Sequence, residues 1–134
     1  MPTITNKYKG SLRTNAIHLK SGDSIITDAP VDNNGKGAAF SPTDLIAGAL
    51  SACMITTMGI VAEQEGVDMS GVHTDVLKVM APDPRRVSEV HINMYWDKCE
   101  ASNKQVEMLK NAALTCPVAI SLHPDILQEI SFHF

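Results

Sequence analysis

Residues 41–53 read SPTDLIAGALSAC, and the run stays apolar or small through Val61 before Glu63, Gln64 and Glu65 appear. The start carries helix punctuation: Ser41 is an N-cap residue, Pro42 stands at the first helical position, and Asp44 follows the cap by three, close to a capping box. Gly66 supplies the stop. Because apolar and small residues occupy nearly every side from Leu45 to Val61, the helix is expected to be central and buried all round. Ala47, Gly48, Ala49, Ser51 and Ala52 would let a neighbouring element, or a second copy of the chain, approach its backbone closely. Cys53 sits about three turns in, where a thiol is ordinarily a small hydrophobe with no chemistry to do.

Outward from this helix, the first third alternates as strands at 4–9, 12–19 and 24–28, with Lys9-Gly10-Ser11 and Ser21-Gly22-Asp23 as turns. This is an antiparallel meander, followed by a Gly/Asn/Asp loop at 30–37. Beyond the helix, strands are expected at 72–80 and 87–96, the second with Val90, Ile92, Met94 and Trp96 on one face. Ser102 and Gln105 open a second helix that stops near Thr115. A short helix with Pro117 at its first position and a last strand at 126–134 complete the order βββ-α-ββ-α-α-β. No linker or repeat interrupts it, so residues 1–134 are read as one domain.

The chain has 134 residues, 44% of them apolar and 19% charged, which suits a globular core without staples. No apolar run of about 18 residues is read, and the start does not look like a signal peptide, so neither a membrane partner nor export is expected. A net charge of −4, with Arg85-Arg86 as the only basic pair, gives no footprint for nucleic acid. Cys53, Cys99 and Cys116 make an odd set with no Cys-x-x-Cys, against a disulfide framework or a zinc ribbon and in keeping with a reducing cytoplasm. The five histidines lack metal-ligand spacing, and no serine lies in a nucleophile elbow, so no metal, no cofactor and no hydrolase triad is expected.

The thiols therefore hold the chemical interest. A free thiol ionises near pH 8.5, and reactivity needs a neighbour that favours the anion. Cys53 lies too far along its helix for the dipole to help. Cys116, just before Pro117, occupies an N-cap, where the dipole favours a negative sulfur by roughly 0.3–1 kcal/mol. By position alone Cys116 is the better-activated thiol, and Cys53 needs a cation from elsewhere.

The string Ser41-Pro42-Thr43-Asp44-Leu45 to Ala52-Cys53-Met54, then Gly66-Val67, Ser70-Gly71-Val72 and a late Cys116-Pro117-Val118, resembles the OsmC/Ohr family, the osmotically inducible protein C and organic hydroperoxide resistance proteins. The likeness follows the element order over nearly the whole chain. It implies an α+β fold in which an intertwined homodimer wraps antiparallel sheets around central long helices. It also implies a thiol peroxidase acting on organic hydroperoxides, with Cys53 as the peroxidatic and Cys116 as the resolving cysteine, reversing the ranking from position. The activating cation in such proteins is an early arginine; Arg13 is the only arginine before Cys53, with Lys36 in reserve. The reductant would be a dithiol, for instance on a lipoyl protein.

One departure concerns the glutamate that follows the helix-starting proline in organic hydroperoxide resistance enzymes and pairs with that arginine. Here the position is Thr43. Asp44, nine residues before Cys53 at about 100° each, falls on the other side of the helix and does not replace it. The chain thus fits an OsmC-like branch in which the arginine lacks its usual carboxylate. Thr43 and Met54 are the expected substrate contacts, Met54 against the organic tail. Cys99, in a polar turn, is read as a surface or edge thiol. Two other readings stay open: a dimer that binds a small apolar or acyl ligand with structural cysteines, and, more remotely, a thioesterase-like enzyme for which no base is visible.

Overall fold

In the computed structural model, which describes residues 1–134, the Ser41 hydroxyl accepts the Asp44 amide at 3.0 Å while the Asp44 carboxylate accepts the Ser41 amide at 2.9 Å. This reciprocal cap satisfies two otherwise orphaned donors and starts α1 at Pro42 (Pro42–Glu65). The other end closes on Gly66 at φ +68°, with Val67 N–H donating to the Ala62 carbonyl at 2.8 Å. That left-handed residue is what lets the chain fold back over the last carbonyls.

The chain forms two compact units, Met1–Ile46 and Ala47–Phe134, with α1 beginning in the first and running on through the second. The first unit is the expected meander: β1 (Ile4–Gly10), β2 (Arg13–His18) and β3 (Ser24–Asp28), paired antiparallel in that order. The β2–β3 register sets Arg13 directly opposite Asp28. A 3-10 turn at Val31–Asn33 follows. Gly35 must be glycine here, because a Cβ on it would lie 1.7 Å from the Ala29 carbonyl oxygen.

The second unit holds the rest of α1, then β4 (His73–Ala81), β5 (Arg86–Tyr95), α2 (Asn103–Leu114), α3 (Pro117–Ser121) and β6 (Leu127–His133). Alternation on β5 sends Val90, Ile92 and Met94 inward, and Trp96 just beyond the strand follows them; all are fully or almost fully buried. They share one core with Leu50, Met54 and Met58 of α1 and Leu109 and Ala113 of α2. Ser51 and Thr74 hydroxyls meet at 2.6 Å, joining α1 to β4. Ser102 and Gln105 form the capping box expected of α2.

Three expectations are corrected. The sheets are not wholly antiparallel: β6 lies parallel to β5, because α2 and α3 form the crossover that a parallel return requires. Nor is α1 buried all round. Ala47, Leu50, Ser51, Met54, Met58 and Ala62 are buried, while Gly48, Ala49, Ala52, Thr56 and Ile60 form an exposed stripe on the other face. Finally, α1 is long and apolar enough to cross a membrane, with an 18-residue window of mean hydropathy 2.0. Its serine and threonines break the apolar run, but the aliphatic residues around them keep the mean high, and its buried face belongs to the core of the second unit.

Candidate functional site

Cys53 projects from the middle of α1 and is half-buried, while Cys116, the N-cap of α3, is 0% exposed. Thr115 ends α2 and Pro117 starts α3, so the single residue between the two helices is forced inward at their junction. There Cys116 lies close enough to Cys53 for each thiol to influence the ionisation of the other. Both thiols are free.

The pair is electrically unequal. Burial pushes the Cys53 thiol up, but the Val118 N–H, the Cys116 thiol and the Thr57 hydroxyl, all favouring a negative sulfur, together hold it below its ordinary value. At Cys116 burial also pushes up; the Ala119 and Val118 amides oppose it, but proximity to Cys53 adds to the rise, and the thiol ends above its ordinary value. Of the two, Cys53 is therefore the thiol that ionises the more readily. The ranking drawn from position is reversed for a physical reason: α3 has five residues and little dipole, whereas full burial is costly to an anion. Position along a helix said nothing of Val118, whose amide faces Cys53 because the helices meet there.

Thr57, one turn beyond Cys53, donates its hydroxyl to the Cys53 carbonyl at 2.7 Å and lies 4.0 Å from the Cys53 sulfur. Met54 is fully buried among core side chains, so the expected contact with a substrate tail is replaced by a packing role. Thr43 is half-buried, its hydroxyl 3.1 Å from that of Ser41 at the helix cap. Cys99 is half-buried against the core rather than free on the surface.

Arg13, in the first unit, does have a carboxylate, which corrects the expectation that it lacks one. Its Nε donates to Asp28 Oδ1 at 2.7 Å and its Nη2 to Oδ2 at 2.8 Å, while the Ala38 amide donates to Oδ2 at 3.1 Å. Asp28 is 1% exposed, Arg13 about one-third. The bidentate guanidinium holds the Asp28 carboxyl below the usual range, with burial opposing and Ala38 and Lys36 assisting. The sequence signal was the hairpin register: pairing outward from the Ser21-Gly22-Asp23 turn puts residue 28 opposite residue 13. No group of three or more His, Cys, Asp or Glu side chains is placed to hold a metal ion.

A family model described as OsmC-like protein matches residues 35–131, most of the chain. The chain belongs to the OsmC-like family. Among solved structures, a Psychrobacter arcticus 273-4 protein named for osmotic stress induction and detoxification response is 55% identical, with TM-score 0.94, over 99% of this chain and 96% of that one. An organic hydroperoxide resistance protein OsmC from Legionella pneumophila matches at 16% identity and TM-score 0.75 over 100% and 98% of the two chains. One from Elizabethkingia anophelis matches at 14% and 0.70 over 99% and 96%. The last two share the fold of this OsmC-like chain. No curated protein matches it.

Proposed function

We propose that this OsmC-like protein is a thiol-dependent peroxidase that reduces organic hydroperoxides in stress defence, with Cys53 as nucleophile and Cys116 as its resolving partner. The arrangement that carries the reading is an unequal pair of neighbouring thiols: a half-buried Cys53, lowered from its ordinary pKa, beside a fully buried Cys116, raised from its own. The names borne by the Psychrobacter and Legionella proteins agree with it.

In the first step the Cys53 thiolate attacks the distal peroxide oxygen. The O–O bond breaks, Cys53 becomes a sulfenic acid, and the alkoxide takes a proton and leaves as the alcohol. Cys116 then attacks the sulfenic sulfur, forming a disulfide and releasing water. A dithiol reductant, such as a lipoyl protein, restores both thiols and becomes a disulfide itself. As the family resemblance implies, Arg13 is proposed as the activating cation, with Lys36 as the alternative. Residues 1–134 act as one family domain, and the exposed stripe of α1 supports a homodimer. Three free thiols suit the reducing cytoplasm.

The test mixes the reduced protein with an organic hydroperoxide, with and without a dithiol. Wild type should consume one equivalent and form the Cys53–Cys116 disulfide, and turn over when the dithiol is added. Cys53→Ser should consume none. Cys116→Ser should stop at a sulfenic acid trappable by dimedone and, with excess peroxide, gain further oxygens on Cys53. Undiminished turnover in Cys53→Ser overturns the reading. An unreactive Cys53 with a co-purifying acyl ligand replaces it with a binding protein.

A further inference from the structure

Helix hydroxyls commonly donate to the carbonyl four residues back, and this chain does so at Thr115 to Asn111 (2.8 Å) and Ser121 to Pro117 (2.7 Å). Thr57 makes the same bond to the Cys53 carbonyl at 2.7 Å, yet it alone also has a thiol sulfur within reach of the same oxygen, at 4.0 Å. We propose that Thr57 is a rotating hydrogen-bond donor that serves the Cys53 carbonyl while Cys53 is a thiol and turns to the sulfur when it is a thiolate. The proposal deepens the peroxidase reading and rests on Cys53 being its nucleophile.

The reason is the single hydroxyl proton. While it points at the carbonyl, the oxygen's lone pairs are left toward the sulfur, an arrangement that accepts from a neutral S–H but repels an anion. Rotation about the Cβ–Oγ bond exchanges a bond to a neutral carbonyl for one to a charged sulfur, and charge-assisted hydrogen bonds are roughly twice as strong. The exchange is therefore favourable only once Cys53 has lost its proton to solvent. The lost back-bond leaves α1 intact, because the Cys53 carbonyl remains free to accept the helical amide of the residue four ahead. Val118 N–H, fixed in the backbone of α3, faces the sulfur in either state. Thr57 thus adds a donor that engages only with the charged form, which lowers the cost of forming the nucleophile without obstructing the thiol.

The test follows alkylation of Cys53 by iodoacetamide from about pH 5 to about pH 10, read by mass spectrometry of the Cys53 peptide, in wild type, Thr57→Val, Thr57→Ala and Thr57→Ser. Circular dichroism confirms the fold. Thr57→Val keeps the shape and removes the donor; its alkylation near neutral pH should fall about five-fold, with the midpoint moved up by about half a pH unit or more. Thr57→Ala should behave likewise and serves if the valine variant does not fold. Thr57→Ser should restore the wild-type profile, because the hydroxyl returns. Coincident profiles for wild type and the two donor-free variants overturn the proposal, as does a serine variant that matches valine. Alkylation is independent of peroxide consumption, so failure of the peroxidase reading would show separately, as a normal wild-type profile without hydroperoxide reduction.

Discussion

Asp28 is the most constrained charged residue of the first unit. Its two oxygens accept from Arg13 Nε, Arg13 Nη2 and the Ala38 amide, and almost none of it meets solvent. Such a carboxylate stays in place because three donors from the protein replace hydrogen bonds it would lose from water. The pairing depresses its titration, so its contribution is complete above the ordinary carboxylate range and is lost as pH falls through the lower, folded-state value. Asp28→Asn keeps the shape but offers one acceptor where the guanidinium fork needs two. The variant should melt below wild type at neutral pH, and the gap should close on acidification below about pH 4, in thermal melts followed by circular dichroism. A gap that persists unchanged at low pH would mean that packing, not charge, holds Asp28. The pair escaped the sequence because it is made across strands: the chain shows Arg13 and Asp28 fifteen residues apart, and only the register brings them together.

At the scale of elements, what punctuates an element locally was legible and what depends on a distant partner was not. Ser41 with Asp44, Ser102 with Gln105, Pro117 and Gly66 fixed the helix ends, since a cap is settled within four residues. The alternation of Val90, Ile92, Met94 and Trp96 fixed the inner face of β5. A strand's own pattern does not say whether its neighbour runs parallel, so β6 was readable as a strand but its direction beside β5 was not. On α1 the small residues carry so little hydropathic direction that the buried and open faces look alike in the sequence. The core side of that helix makes a definite claim about Met54. Fully buried beside Leu50 and Met58, Met54→Ala should cost about 2–5 kcal/mol in denaturant unfolding. Met54→Leu, which keeps the volume, should cost less than about 1.5 kcal/mol. A Met54→Ala variant of near wild-type stability with a weakened affinity for bulky hydroperoxides would instead restore the substrate contact read from the sequence.

At the scale of the whole molecule, the open face of α1 is the largest departure from a self-sufficient core. Gly48, Ala49, Ala52, Thr56 and Ile60 follow one another at helical spacing, and a Cβ placed on Gly48 or Gly59 would meet nothing within 4 Å. A helix whose mean hydropathy matches a membrane span, yet which buries only one face in its own unit, leaves apolar surface that water disfavours. Small residues along that face let a second helix approach closely, so a copy of the same chain packed through α1 would cover it at little steric cost. Ile60, 55% exposed, is the one large aliphatic in the stripe and is not among the residues packed against the core of the second unit. Ile60→Arg should therefore leave the circular dichroism spectrum and the melting of dilute protein close to wild type. In sedimentation velocity, wild type should run at about twice the mass of the 14.5 kDa chain, and Ile60→Arg should shift toward one chain, because a guanidinium at the centre of an apolar helix contact has no partner to offset its desolvation. Wild-type protein that sediments as a single chain at micromolar concentration would remove the homodimer. The apolar stripe would then be left to face some other partner.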